Sequence, residues 1–97
     1  MRRSPRDRLA RRVADLFELP KDVILDLPTA TVLGNLQCVV ENHRGIIEYL
    51  PEKVRVNTAR GEVVITGREL AIGSISQDEI VIEGRITSLA LQDWAGE

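Results

Sequence analysis

The sequence predicts a mainly β domain, built from an antiparallel meander of short strands and preceded by one amphipathic helix. From Lys21 onward, short runs rich in β-branched residues alternate with turn residues. Several runs alternate apolar and polar residues, as in "KVRVN" at 53–57. This period of two is typical of a strand with one face exposed to solvent. Links of two to four residues are too short for the helices that join parallel strands, so the strands should be antiparallel.

Nine short runs carry this pattern, and each is interpreted as one strand. So many strands in one small domain cannot stay in a flat sheet. We therefore expect them to curl into a roll, a small barrel or a sandwich. In chain order the runs are "VILDLP", "ATVLGN", "QCVVEN", "GIIEYL", "KVRVNT", "EVVITG", "LAIGSI", "EIVIEGRI" and "TSLALQ".

Ahead of the strands, residues 1–20 form a basic amphipathic segment, and residues 21–97 form the β domain of what is one domain overall. Ser4 is a helix cap, Pro5 suits the first helical position and Pro20 ends the pattern, so a helix is predicted over about 5–18. An apolar stripe recurs at helical spacing, and arginines lie beside it. The stripe is Leu9, Val13, Leu16 and Phe17, flanked by Arg8 and Arg12.

Charge is distributed unevenly between these two parts. Residues 1–12 hold six arginines and one acid, a charge of +5, and the total of −2 leaves −7 for the rest. A helix this short is marginal alone in water, so its stripe needs a covering surface. That surface is either its own β domain or a partner, including an anionic membrane met in a peripheral way. Both alternatives stay open.

Composition limits the classes of function. The one cysteine, Cys38, cannot form an internal disulfide and lies in an apolar run, so it is predicted to be a small buried side chain. No Cys/His cluster predicts zinc, and no glycine-rich loop leads into a helix to bind phosphate. The start lacks the apolar stretch of a signal peptide, and no run approaches the ~20 apolar residues of a membrane span. We expect a cytoplasmic protein without metal or cofactor.

The stretch "ENHRGIIEY" at 41–49 holds the only histidine, His43. Glu41 lies two positions before it, and Glu48 would join them if it lay opposite in a hairpin. Catalysis needs a nucleophile or base in a defined arrangement, and the chain offers none, so no catalytic residue and no enzyme is predicted. Glu41, His43 and Arg44 are instead predicted to belong to an interaction surface, together with the residues of the helix: Arg8, Leu9, Arg12, Val13, Leu16 and Phe17.

The stretch is also part of a weak internal repeat, because "VENHRG" at 40–45 matches "VNTARG" at 56–61. We interpret both as hairpin turns that end in the same Arg-Gly pair, with glycine supplying a positive φ. Ala59 stands in the second copy where His43 stands in the first, which indicates that the fold does not need the histidine. The few aromatic residues, among them Tyr49 and Trp94, are predicted to lie in the core or at its rim.

Residues 19–86 resemble the YabP/YqfC family of proteins from endospore formers, and in particular its YqfC branch. Order and spacing of the pieces carry the resemblance, since none is a catalytic motif. The pieces are "LPKDV" at 19–23, "DLP" at 26–28, "GN" at 34–35, "ENHRGIIEY" at 41–49, "G-x-L-x-I" near 67–72 and "EIVIEGRI" at 79–86. The last residues, including Trp94, lie beyond these pieces.

The resemblance implies a role in sporulation, in the mother cell, during the later stages of spore envelope assembly. It also implies a partner, the companion membrane protein usually called YqfD, and it brings no catalytic residues. We therefore expect a non-enzymatic protein that acts through protein–protein contacts. Two alternatives stay open: a self-assembling β scaffold formed through sheet edges, which makes a homo-oligomer, and a small-barrel nucleic-acid binder, which the acidic body disfavours.

Overall fold

The structure, a computed structural model, describes residues 27–94, so the predicted helix at 5–18 and the boundary at residue 20 lie outside the described residues. These residues form one six-stranded antiparallel sheet with the strand order β1-β2-β6-β5-β4-β3. The prediction of a mainly β, antiparallel fold is confirmed. The strands are β1 (Thr29–Leu33), β2 (Gln37–Glu41), β3 (His43–Leu50), β4 (Lys53–Thr58), β5 (Glu62–Ile75) and β6 (Glu79–Gln92).

The number of strands was predicted wrongly. "EVVITG" and "LAIGSI" form the single 14-residue strand β5, and "EIVIEGRI" and "TSLALQ" form the 14-residue strand β6. The first run, "VILDLP", lies almost entirely outside the described residues. The alternation of apolar and polar residues is interrupted where β5 and β6 bend. The hydrogen-bonded ladder between the two strands nevertheless continues through β-bulges at these points. Each interruption was therefore interpreted wrongly as the end of a strand.

Two glycines allow this bend. The register between β5 and β6 shifts at Gly67, and a Cβ there would lie 1.9 Å from the carbonyl oxygen of Arg85. Gly84 has a φ of +136° and lies close to the backbone of Glu69, which itself has a φ of 54°. Gly67 and Gly84 thus lie at the irregular part of the β5–β6 ladder. Only a residue without a side chain lets the two strands approach this closely.

The sheet is open, with β1 and β3 as its end strands, so the expected closure into a roll, small barrel or sandwich is not found in residues 27–94. One face of the sheet carries a single hydrophobic core. Alternate residues of four strands point into it, as the period-two pattern predicts, and Val54 and Val56 of β4 are fully buried. The four contributing strands, β2, β6, β5 and β4, are successive neighbours in the sheet, so their inward side chains form one continuous cluster. The core consists of Cys38, Val40, Val54, Val56, Val63, Ile65, Leu70, Ile80, Ile82 and Ile86.

Only one of the two predicted Arg-Gly hairpins exists. Residues 59–61 connect β4 to β5, which pair with each other, and Thr58 Oγ1 donates to the carbonyl of Gly61 at 2.7 Å. By contrast, β2 and β3 do not pair, because β2 lies beside β1 and β6 while β3 lies beside β4. The first copy of the repeat is therefore a corner where the chain leaves one part of the sheet for the other.

Candidate interaction surface

The corner between β2 and β3 is held from three directions. Asn42 has a φ of 60°, and its backbone N–H donates to the carbonyl of Asp78 at 2.8 Å. Its side-chain Nδ2 donates to the carbonyl of Leu27 at 2.9 Å. Next to it, Glu41 accepts a hydrogen bond from Thr29 Oγ1 at 3.0 Å. The corner thus fastens the start of β1 and the β5–β6 turn to one point.

His43 adds the fourth connection of this corner. Its Nε2 lies 2.9 Å from the carbonyl oxygen of Ser76, and its Nδ1 accepts from the backbone N–H of Gly45 at 2.9 Å. A carbonyl can only accept and an N–H can only donate, so in this arrangement Nε2 acts as the donor and Nδ1 as the acceptor. The ring therefore joins β3 to the turn after β5, and the inference that the fold does not need the histidine stays a prediction for substitution to test.

The same two strands are joined again at the far end of β3. Tyr49 Oη donates to the carbonyl of Leu70 at 3.4 Å, and Leu70 N–H donates to the carbonyl of Pro51 at 2.7 Å. Gly67 N–H donates to the carbonyl of Glu52 at 3.1 Å. The two ends of the end strand β3 are therefore joined by hydrogen bonds to β5 and to the turn that follows it. We call this the bridged edge.

Glu48 does not join Glu41 and His43, contrary to the prediction for the hairpin. It lies beside Arg55 on β4, with 3.5 Å between Arg55 Nη1 and Glu48 Oε1. Arg55 also makes two hydrogen bonds to Glu62, of 3.0 and 2.9 Å. This hydrogen bonding lowers the pKa of Glu62 and raises that of Arg55. The three residues form a row across the outer face of β3, β4 and β5.

The opposite side of the sheet is not bridged. Ala30 and Val32 of β1 lie directly across from the buried Val40 and Cys38, so they are on the core face of the sheet. Nevertheless Ala30 is exposed and Val32 is 49% exposed. These residues have the orientation of core residues and lack a covering layer.

The second half of β6 shows the same feature. Leu91 lies across from the buried Val63, yet 59% of it is exposed. Leu89 lies across from the buried Ile65 and is only partly buried. We call the core-facing residues Ala30, Val32, Leu89 and Leu91 the open edge.

A groove of about 270 Å³ runs along the open edge. The hydrogen-bond donors of its two polar side chains are already used: Thr29 Oγ1 donates to Glu41, and Trp94 Nε1 donates to the carbonyl of Glu62 at 2.8 Å. The groove therefore offers an apolar surface and no titratable group. Its lining residues are Pro28, Thr29, Ala30, Val63, Leu89, Leu91 and Trp94.

A second apolar surface lies at the turn between β1 and β2. Leu33 is 68% exposed and Leu36 is 61% exposed, and we call this pair the hairpin tip. The backbone beneath them is fixed, since the carbonyl of Leu36 accepts from Gly84 N–H at 3.2 Å and that of Asn35 accepts from Ile86 N–H at 2.7 Å. Two neighbouring exposed leucines on an ordered backbone offer a partner apolar area to bury without ordering the turn.

Of the predicted site residues, the structure describes Glu41, His43 and Arg44. It brings them together at the corner, where Glu41 and His43 make structural hydrogen bonds and Arg44 is exposed. Sequence reasoning missed the open edge and the hairpin tip, although the hydrophobic "TVLGNL" around the turn gave a signal. The other predicted residues, Arg8, Leu9, Arg12, Val13, Leu16 and Phe17, lie outside the described residues.

Cys38 is fully buried in the core, as predicted, and burial raises the pKa of its thiol to about 11. Within residues 27–94, no group of three or more His, Cys, Asp or Glu side chains could hold a metal ion. No helix among these residues is long and apolar enough to cross a membrane. Trp94 is packed against the core, as predicted, and its Nε1 donates to the carbonyl of Glu62, whereas Tyr49 is 48% exposed and is not part of the core or its packed rim.

Comparison with known proteins gives two matches. The model of the YabP family matches residues 27–97, a range that extends past the pieces that carry the resemblance to include the second half of β6 and Trp94. A Bacillus subtilis (strain 168) protein, described as uncharacterized protein YqfC, is 39% identical over 70 residues. The match covers 72% of this chain and 75% of that protein. No solved structure matches the chain.

Proposed function

Because the chain belongs to the YabP family, we propose that it acts in sporulation, as a non-enzymatic protein of spore envelope assembly. The proposal of a role in sporulation rests on the family resemblance. The proposed location, the cytoplasm of the mother cell, rests on the same resemblance. The mode of action is contact with another protein, and the proposed partner is the companion YqfD-like membrane protein. Peripheral contact with the anionic membrane, through the basic residues 1–12, accompanies this contact.

The observation that carries the mode of action is the hairpin tip. Leu33 and Leu36 expose most of their surface although the fold does not require it, and their backbone is already ordered by hydrogen bonds to β6. A partner that covers them gains apolar burial, at roughly 25 cal/mol per Å², without having to order the turn. Of the described residues of the predicted surface, Arg44 is the charged one that is exposed.

The described residues also support a non-enzymatic function. The groove along the open edge has no titratable side chain among its lining residues. Both ring nitrogens of His43 are engaged in hydrogen bonds to the backbone, so the ring holds the corner and is not poised as a general base.

The test is capture of the companion membrane protein by the tagged full-length chain from sporulating cells. We expect the double substitution Leu33→Glu and Leu36→Glu to abolish capture while leaving the thermal unfolding midpoint unchanged. Thr31→Glu is the matched control, because Thr31 is also exposed on β1 but lies outside the hairpin tip. Equal capture by the double variant and the native chain would refute the role of the tip.

One observation favours the alternative of a self-assembling scaffold. Strand β1 is at the end of the sheet, contains no charged residue and no proline, and has four exposed residues of five. Such an edge lacks the usual protection against pairing with a second chain. Light scattering across a range of concentrations distinguishes the two: a constant monomer mass removes the scaffold, and growth with concentration supports it.

A further inference from the structure

The open edge is a gap in the core. On both sides of it, residues that face the core by register remain exposed: Ala30 and Val32 on β1, and Leu91 on β6. In a finished core, positions across from fully buried residues such as Val40 and Val63 would themselves be covered. The missing layer must be apolar, because the surface that it covers is apolar.

The groove indicates what kind of group fills this gap. Its volume of about 270 Å³ is below the roughly 300–1,000 Å³ of sites for small molecules. The hydrogen-bond donors of Thr29 and Trp94 are already engaged elsewhere, so the lining side chains offer a polar metabolite no free donor and only the acceptor capacity of Thr29 Oγ1. A few apolar side chains from a polypeptide segment fit both the size and the chemistry.

We propose that the groove is the docking site for the chain's own N-terminal stripe, Leu9, Val13, Leu16 and Phe17. Pro28 lines the groove, so the chain enters the described domain at this place. The ten residues 18–27 separate Phe17 from Pro28. At about 3.3–3.6 Å per residue this tether reaches the whole groove. A short tether also keeps the stripe at an effective concentration of about millimolar, which favours it over a second copy.

Charge complementarity points to the same occupant. Residues 27–94 contain six basic and nine acidic side chains, a charge of −3, whereas residues 1–12 carry +5. Asp93 is exposed directly before Trp94, on the rim of the groove. With the stripe docked, Arg8 and Arg12 flank it and meet this acidic domain or remain available to an anionic surface. This inference goes beyond the proposed function, because it assigns the apolar side of the segment to the fold.

Trp94 provides the test, since it is the only tryptophan of the chain and lines the groove. In the purified full chain, we expect the double substitution Val13→Asp and Leu16→Asp to shift its emission to the red and to increase its quenching by acrylamide. Ala14→Asp is the matched control: it adds the same acid to the same segment but lies off the stripe, and its emission should equal that of the native chain.

Unchanged emission and quenching in the double variant would overturn the proposal. So would a native signal that depends on protein concentration, because that result indicates a second copy in the groove. A second measurement uses the pair Val13→Cys and Ala30→Cys, with the buried Cys38 left in place. A disulfide within the monomer supports docking, whereas its absence, or linkage only between chains, contradicts it.

Discussion

The bridged edge and the open edge are two sides of one sheet, completed in different ways. At the bridged edge, His43 and Tyr49 of β3 supply hydrogen bonds to the turn after β5 and to β5 itself. At the open edge, β1 faces the second half of β6 across an apolar groove, and core-facing residues stay exposed. A sheet of six strands thus bridges one side by itself and leaves the other for a further segment.

The comparison teaches which residue types to associate with each edge. Polar side chains near a sheet end can be structural when backbone groups there lack ladder partners. Exposed apolar side chains in register with the core indicate a covering partner more reliably than exposure alone, because many single apolar residues are exposed in any protein. The following predictions test this distinction, beginning with the bend on which both edges depend.

The largest effect is expected from Gly67→Ala. The new Cβ would lie 1.9 Å from the carbonyl oxygen of Arg85, so β5 and β6 would have to separate where the sheet bends. We expect a loss of about 3 kcal/mol or more in the free energy of unfolding, at the upper end of overpacking effects. Urea denaturation measures it. Gly34→Ala is the control: its φ of +54° brings strain of about 1–2 kcal/mol, but its Cβ meets no atom within 4 Å.

At the bridged edge, His43→Ala is expected to cost about 1–2 kcal/mol, because two hydrogen bonds to the backbone are lost. Hydrogen exchange should speed up at Gly45, whose N–H donates to the ring. Tyr49→Phe removes only a long hydrogen bond of 3.4 Å and should change stability by a few tenths of that amount. If His43→Ala were as stable as the native chain, the edge would be held by β3 packing and not by the ring.

A smaller, pH-dependent effect is expected between the two edges, at Glu62. Hydrogen bonding to Arg55 lowers the pKa of Glu62 below its ordinary value of 4.5. The stabilisation is therefore present above the ordinary value and is lost as pH falls through the lowered pKa in the folded protein. Thermal unfolding midpoints measured from pH 6 down to 2 should fall less steeply for Glu62→Gln than for the native chain. Identical slopes would show that the pair does not contribute.

The smallest effect is expected at Cys38, where native protein should hardly react with a thiol reagent. Burial raises its pKa to about 11, so the nucleophilic thiolate is scarce near pH 8, and the side chain is fully covered. The same protein in denaturant is the positive control. Fast labelling of the native chain would mean that reagent enters the core beside Val32, which lies across from Cys38 at the open edge.

The sequence predicted features that depend on residues close together in the chain better than features that depend on distant ones. Val54 and Val56, or Ile80 and Ile82, were assigned to one face correctly, because a strand alternates its side chains with a period of two. The 59–61 hairpin was found from its glycine and its flanking strands. The corner at 41–45 has a similar sequence but is not a hairpin. The order of strands in the sheet depends on which strands pack on the same core, and a short stretch of sequence does not specify that.

The sequence by itself determined the mainly β character, the antiparallel pairing, the buried Cys38 and membership of a family recognised by order and spacing. Only the tertiary structure decided that the eight runs within residues 27–94 make six strands, that His43 makes structural hydrogen bonds and that one edge of the core is open. The physical reason is that pattern and turn chemistry act between neighbours in the chain. A bulge that bends a sheet, and a ring that spans 33 residues to Ser76, acquire their meaning only when distant strands meet.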